Sequence, residues 1–240
     1  MRPMVAAAAP VSCEYCPVGQ HAVYAPALAA TPDAITTRRH VQTVLAARRT
    51  IFSEGEIPKR VYTLFSGWAY RYRTLSDGGR QILSFFVPGD FLTLQSMKPG
   101  PLPYTVKALT EVALCGFERE TFFAFLLRSD ELRESLCRDV LAQYDEAERT
   151  LVDIGRRPAL ARVARFLLSM EERLRARGLV QDGGFELPIP QGLIADALGL
   201  TTVHVNRTLA SIRDSGAIEF GRNRMRIRDF DELRDLAECR

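Results

Sequence analysis

The stretch Gly192-Leu-Ile-Ala-Asp-Ala-Leu-Gly-Leu-Thr-Thr-Val-His-Val-Asn-Arg-Thr-Leu-Ala-Ser-Ile-Arg213 decides how this chain is read. Two short amphipathic segments meet at Gly199, a residue free to adopt the left-handed backbone that ends a helix. The second segment opens at Thr201, whose hydroxyl can cap the first turn, and then alternates polar and apolar faces at helical spacing. Ile194, Ala195, Leu198, Val205, Leu209 and Ile212 are expected to form the interior, with Ala195 small where the helices cross. Thr202, Val203, Asn206 and Arg207 then share an exposed face, the part of a helix-turn-helix that enters a major groove. Arg207 suits the two acceptors of a guanine edge, Asn206 suits adenine or a phosphate, and Val203 offers only an apolar contact such as a thymine methyl. Gln191 starts the first helix, where backbone N–H groups favour phosphate.

The flanks extend this unit. Pro158 opens a helix through Val163, Phe166, Leu167, Met170 and Leu174, ending at Gly178, and Phe185-Glu-Leu-Pro-Ile is a short strand that Pro188 keeps at an edge. After the two helices, residues 216–228 read as two brief strands around a Gly-Arg-Asn turn, followed by an amphipathic helix from Asp229. Helix, helix-turn-helix, hairpin is the order of a winged helix. Residues 205–228 hold six arginines and two acidic residues, a local excess suited to a polyanion. Arg222 and Arg224 on the hairpin are candidate phosphate contacts. The net charge of +3 over the whole chain is too small to carry that inference alone.

Residues 1–35 are rich in Ala and Pro and read as a flexible arm. From about 38 to 118, short apolar runs are punctuated by Gly55, Gly67, Gly79 and Gly89, the strand–turn spacing of a small all-β unit. Trp68, Tyr70 and Tyr72 alternate with Ala69, Arg71 and Arg73, which predicts a strand with one wet face. Asp77-Gly78-Gly79 supplies positive-φ residues for a hairpin turn. After Glu118 the period lengthens. Leu132, Leu136, Val140, Tyr144, Ala147, Leu151 and Ile154 form one stripe on a helix of about 130–154, roughly 37 Å long. Such a stripe needs a partner surface, either the β unit or a second copy of the helix.

With 240 residues, 47% hydrophobic and 25% charged, the chain has the composition of an ordinary soluble globular protein. No apolar run approaches the roughly 20 residues that span a bilayer, and the short Ala-rich start is too weakly hydrophobic for a secretion signal. A cytoplasmic location without membrane contact is expected, with the five cysteines as thiols or ligands rather than disulfides. No Ser/His/Asp set, phosphate loop or carboxylate pair stands out, so the chain reads as non-enzymatic.

Val-Pro-Gly-Asp-Phe (87–91), the long helix and Leu-Gly-Leu-Thr-Thr-Val-His-Val-Asn-Arg-Thr-Leu (198–209) together resemble the Crp/Fnr transcription regulators. The resemblance implies an α+β fold: an arm over 1–35, a jelly-roll-like β-roll sensor domain over 36–125, a dimerisation helix over 126–155 and a winged helix-turn-helix over 156–240. It implies a homodimer on a palindromic site of double-stranded promoter DNA, with half-sites roughly 34–36 Å apart, and contact with RNA polymerase as an activator.

Two departures matter. Members often carry Glu four residues before the motif arginine, where this chain has Val203, so its half-site is expected to differ from the family's commonest one. The members that bind cyclic AMP place Gly-Glu after the Gly-Asp-Phe turn and Arg-Ser before a Val-x-Ala strand. Here those positions are Thr93-Leu94 and Leu102-Pro103, which leaves a cyclic phosphate without counter-charge. The expected effector is therefore not cyclic AMP.

Cys13-x-x-Cys16 has metal-ligand spacing. The iron–sulfur members are similar here, with a Cys cluster in the arm and one Cys late in the β unit, which Cys115 matches. Tyr24 stands where a third arm cysteine would fall, and a [4Fe–4S] cluster usually needs four thiolates. A site without cofactor leads. An iron–sulfur cluster or metal on Cys13, Cys16, Cys115 and a further ligand such as His21, or a Cys13/Cys16 dithiol switch, are the alternatives. Cys137 and Cys239 read as structural, and His40 and His204 as single and unassigned. Two functions from other classes compete: a thiol redox or metal-handling protein using Cys13 and Cys16, and a small-molecule-binding module whose winged helix meets protein.

Overall fold

The alternating runs of the first half fold as strands β1 (His40–Leu45), β2 (Thr50–Phe52), β3 (Arg60–Ser66), β4 (Ala69–Thr74), β5 (Arg80–Phe86), β6 (Thr105–Ala108) and β7 (Val112–Glu118). In the computed structural model, which describes residues 22–25, 40–221 and 223–238, they build a three-stranded sheet β1-β7-β3 and a four-stranded sheet β2-β6-β4-β5. Two compact units result, one within 1–74 and 83–144 and the other within 75–82 and 145–240. The expected α+β architecture, with β sheets first, a long helix and a C-terminal helix-turn-helix, is the one observed.

The Val-Pro-Gly-Asp-Phe segment locks β5 to β3. Asp90 Oδ2 accepts the Val87 N–H at 2.7 Å, while the Gly89 and Leu64 N–H groups donate to Leu64 O and Asp90 O at 2.8 and 2.9 Å. Further along, Thr93 is wholly buried and its Oγ1 accepts the Tyr62 N–H at 3.1 Å. The register sets Tyr62 opposite Gly116. Its ring lies so close that a Cβ on residue 116 would stand 2.4 Å from Tyr62 Cε1, so any larger residue there would have to displace the ring.

Three expectations for this half are corrected. The face of Ala69 and Arg71 is not wet: Ala69 is fully buried and Arg71 half-buried, and exposure begins only at Arg73. Both faces of the strand are covered at its start, where Ala69 and Tyr70 are buried. In the Asp77-Gly78-Gly79 turn only Gly78 has positive φ, at 81°, and Asp77 Oδ1 accepts the Gly79 N–H at 2.8 Å. The segment read as a flexible arm is anchored at Ala22, Val23 and Tyr24, all buried. The Tyr24 ring meets Phe117 edge-on at 5.4 Å, in a cluster with Val61, Phe91, Phe122, Leu132 and Leu136. Apolar bulk, which an Ala/Pro-rich composition hides, drives this docking.

Helix α1 (Arg119–Leu126), absent from the sequence reading, places Phe122 against Phe91 with centroids 5.4 Å apart. Ser129 then starts α2 (Asp130–Arg156), its Oγ accepting the Leu132 N–H at 3.2 Å. Of the stripe on α2, Leu132 and Leu136 are buried, whereas Val140, Tyr144, Ala147 and Leu151 are exposed and Ile154 half-buried; Leu141 and Val152, outside the expected stripe, are exposed beside it.

In the second unit Pro158 precedes α3 (Ala159–Arg175). Arg165 links the end of α2 to the C-terminal helix α6 (Phe230–Glu238), with Nε 2.9 Å from Asp153 Oδ1 and Nη1 2.9 Å from Glu238 Oε1. Strand β8 (Gly184–Glu186) is the edge of a three-stranded sheet in the order β8-β10-β9, where β9 is Ile218–Phe220 and β10 is Arg224–Ile227.

Candidate nucleic-acid interface

Helices α4 (Gln191–Leu198) and α5 (Thr202–Asp214) form the helix-turn-helix. Gly199 has φ 63° and ψ 39°, the left-handed end of α4, so a β-carbon there would bring backbone strain. Thr201 caps α5, its Oγ1 accepting the His204 N–H at 3.2 Å. The interior of the pair contains Ile194, Ala195, Leu198, Val205 and Ile212, all buried. Leu209 is half-buried rather than buried, and Thr208, which the apolar pattern passed over, lies inside at 8% exposure. A hydroxyl in register with Val205 and Ile212 on one helical face was the available signal.

Thr201, Thr202, Val203, Asn206 and Arg207 are all exposed, and Val203, at 65%, is an apolar side chain held in solvent. Among the described residues no hydrogen bond or ion pair engages Asn206 or Arg207. Gln191 is half-buried at the start of α4. Arg213 is the next cation along α5 and lies 3.5 Å from Asp214.

The hairpin arginines behave differently. Arg224 donates from Nη2 to Gln181 O at 2.7 Å and Arg226 from Nη2 to Asp182 O at 2.7 Å, fastening the turn before β8 to the wing. Arg228 is paired with Glu219 at 2.6 Å. Arg224 therefore has a structural duty that the sequence reading did not foresee, although it stays exposed. Arg222 lies outside the described residues. Asn223 supplies the turn's left-handed residue with φ 54°. Arg162 was also missed: its Nη1 donates to Leu198 O at 3.1 Å and its Nε to Arg157 O at 2.7 Å. It thereby satisfies the C-terminal carbonyl of α4.

This arrangement meets clear relatives. The Crp-like helix-turn-helix domain matches residues 161–236, and the cyclic nucleotide-binding domain matches 42–129. The nitrogen fixation regulation protein FixK of Bradyrhizobium diazoefficiens is 35% identical over 169 residues, 70% of each chain. This chain belongs to the Crp/Fnr family. The transcriptional activator protein FnrL of Cereibacter sphaeroides is 28% identical over 234 residues, 94% of this chain and 91% of its own. The structure of FixK2 from Bradyrhizobium japonicum superposes with a TM-score of 0.74 at 28% identity, covering 84% of this chain and all of that one. The protein is thus a DNA-binding transcription regulator of the Crp/Fnr type and not an enzyme, which sets aside the thiol redox and metal-handling reading.

Of the candidate metal ligands, Cys13 and Cys16, like His21, lie outside the described residues. Cys115 is buried on β7, where strand alternation puts it on the face of Phe117, and Phe117 is covered by Tyr24. Among the described residues no group of three or more His, Cys, Asp or Glu could hold a metal ion. No described helix is long and apolar enough to cross a membrane.

Proposed function

We propose that this regulator acts as a cytoplasmic homodimer on a palindromic promoter site, placing one α5 from each protomer in successive major grooves. The observation that carries this is the exposed ridge of Thr202, Val203, Asn206 and Arg207, with the Arg207 and Asn206 side chains unengaged among the described residues. A guanidinium without partner is ready for a guanine edge, and Val203 for a thymine methyl. Gln191 and Thr201 at the helix starts, with Arg222 and Arg224 on the wing, are assigned to phosphates, which fix register without reading sequence. The exposed stripe of Val140, Leu141, Tyr144, Leu151 and Val152 on α2 supports pairing with a second copy, since an apolar row of this length favours burial. A relative named as a transcriptional activator supports a role in activation, with RNA polymerase as the expected contact.

The β unit is read as the sensing half, for a signal other than cyclic AMP. Thr93 serves Tyr62, Leu94 packs on the core, and Leu102 is buried at 2% exposure. Positions that would have to meet a nucleotide are thus given over to the fold. A four-thiolate iron–sulfur cluster fits equally poorly. Tyr24, where a third arm cysteine would fall, is an apolar anchor in a packed cluster, so no cofactor is assigned.

The test is fluorescence anisotropy on a labelled palindromic promoter fragment, with sedimentation of the free protein. Wild type should bind as a dimer with steep salt dependence, and Arg207→Ala should lose sequence-specific binding. Unchanged binding by Arg207→Ala would overturn the assignment of α5.

A further inference from the structure

Helix α5 carries an imidazole that its exposed ridge of Thr202, Val203, Asn206 and Arg207 leaves out. His204 is exposed in the first turn, and its backbone N–H is the group that Thr201 caps. Among the described residues no hydrogen bond or ion pair holds its ring. The other two histidines of the chain are His21 and His40, so residues 156–240 contain no second one.

Helical spacing fixes where the ring stands. Val205, Thr208 and Ile212 face the core, which puts Val203 and Arg207 opposite them, at the crest of the exposed face. Thr202 and Asn206 flank the crest on one side, His204 and Ser211 on the other, all four exposed. A helix with its side chains is about 10–12 Å across, and the major groove is about 12 Å wide. With the crest turned to the base edges, a flanking residue of the first turn meets the groove wall, where the phosphates lie.

The surrounding elements leave that ring to an outside anion. Helices α3 and α4 and strand β9 pack on α5. Asp196 of α4 accepts from Arg80 Nε at 2.9 Å, Glu171 of α3 from Arg175 Nε at 2.7 Å, and Glu219 of β9 pairs with Arg228. Arg162 and Arg165 of α3 are bonded to Leu198 O and Asp153, and Glu172 and Arg173 complete the charged groups of that helix. On α5 itself Arg207 lies one turn from His204, while Arg213 pairs with Asp214.

We propose that His204 contacts a DNA phosphate as an imidazolium, so that binding to the duplex takes up a proton. The proposal rests on the assignment of α5 to the major groove and adds a residue to that surface. A neutral imidazole offers a phosphate one N–H, whereas the imidazolium adds a full charge to the bond. Histidine changes charge between about pH 5 and 8. The contribution is therefore fully present where the ring is charged before binding, and is lost as pH rises until the ring stays neutral in the complex.

The experiment is fluorescence anisotropy of the full chain on the labelled promoter fragment, over a range of salt, at about pH 6 and about pH 8. Wild type should bind about five- to thirtyfold more tightly at the lower pH, because each protomer gains one charge-assisted bond. The slope of log affinity against log salt should steepen there by about 1.8, one further phosphate for each of two protomers. His204→Gln, which keeps a neutral donor, should lose the dependence on pH and the tighter binding at the lower value. His204→Arg, charged throughout, should hold the steep slope at both. Specific binding with the same salt slope at both pH values, or a pH effect that persists in His204→Gln, overturns the contact and leaves the assignment of α5 standing. Failure to prefer the promoter fragment over a scrambled one at the higher pH overturns that assignment and the contact with it.

Discussion

On α5, the side chains of Asn206 and Arg207 stand in solvent with no partner among the described residues. In the β unit, Thr93 and Leu102 occupy positions where nucleotide-binding members of the family reach their ligand, and both are buried, Thr93 also bonded inward. The same family pattern has therefore been kept open at one end of the chain and closed over at the other. Polar groups left unsatisfied on a surface are available to a partner, whereas polar groups bonded inside a core have become part of its stability. Substitutions should accordingly cost binding in the first region and folding in the second.

The largest effect should fall on the closed region. Tyr24→Ala removes a buried aromatic from the cluster around Phe117 and Phe122, and urea unfolding should register a loss of about 3–5 kcal/mol. A loss within error would mean that the arm is not part of the β unit's core. Next, Leu141→Glu with Leu151→Glu places charge on the exposed stripe of α2. Sedimentation should then show monomers, the dimer weakened by at least about 3 kcal/mol. A dimer that survives both changes would assign the stripe elsewhere.

Arg207→Ala sharpens the contrast from the other side. Operator affinity should fall by about 1–3 kcal/mol with the melting temperature unchanged, because no hydrogen bond or ion pair among the described residues depends on that guanidinium. A parallel fall in stability would erase the distinction between the two regions. The smallest effect belongs to Thr201→Ala, which loses the cap on the His204 N–H. Thermal melting should show about 1 kcal/mol, with a modest loss of operator affinity.

Much of the winged helix was legible beforehand because its signals are local. Gly199 ends one helix, Thr201 begins the next, and the apolar positions recur at helical spacing, so each residue's role depends on neighbours a few places away. The buried Thr208 escaped because periodicity counts apolar residues only. The β unit was legible as strands but not as a site. Whether Arg71 faces water depends on Phe86, Tyr104 and Gln143 lying against it, a long-range fact that two-residue alternation does not contain. The anchoring of Tyr24 is equally non-local, since its partners Phe117 and Phe122 lie some ninety residues further along. The tie from Arg224 to Gln181 O escaped for the same reason, and an arginine on a wing was assigned to phosphate alone.

That last contact has a further consequence. With Arg224 and Arg226 stitched to the backbone of Gln181 and Asp182, the wing proposed to meet a duplex has two of its longest side chains already ordered. Immobilising such a side chain on association costs about 0.5–1.5 kcal/mol each, and here that loss of freedom is settled when the chain folds. On the proposed reading the wing is a preorganised surface, so replacing Gln181 or Asp182 by proline or glycine should alter the entropy of DNA binding from positions not assigned to DNA.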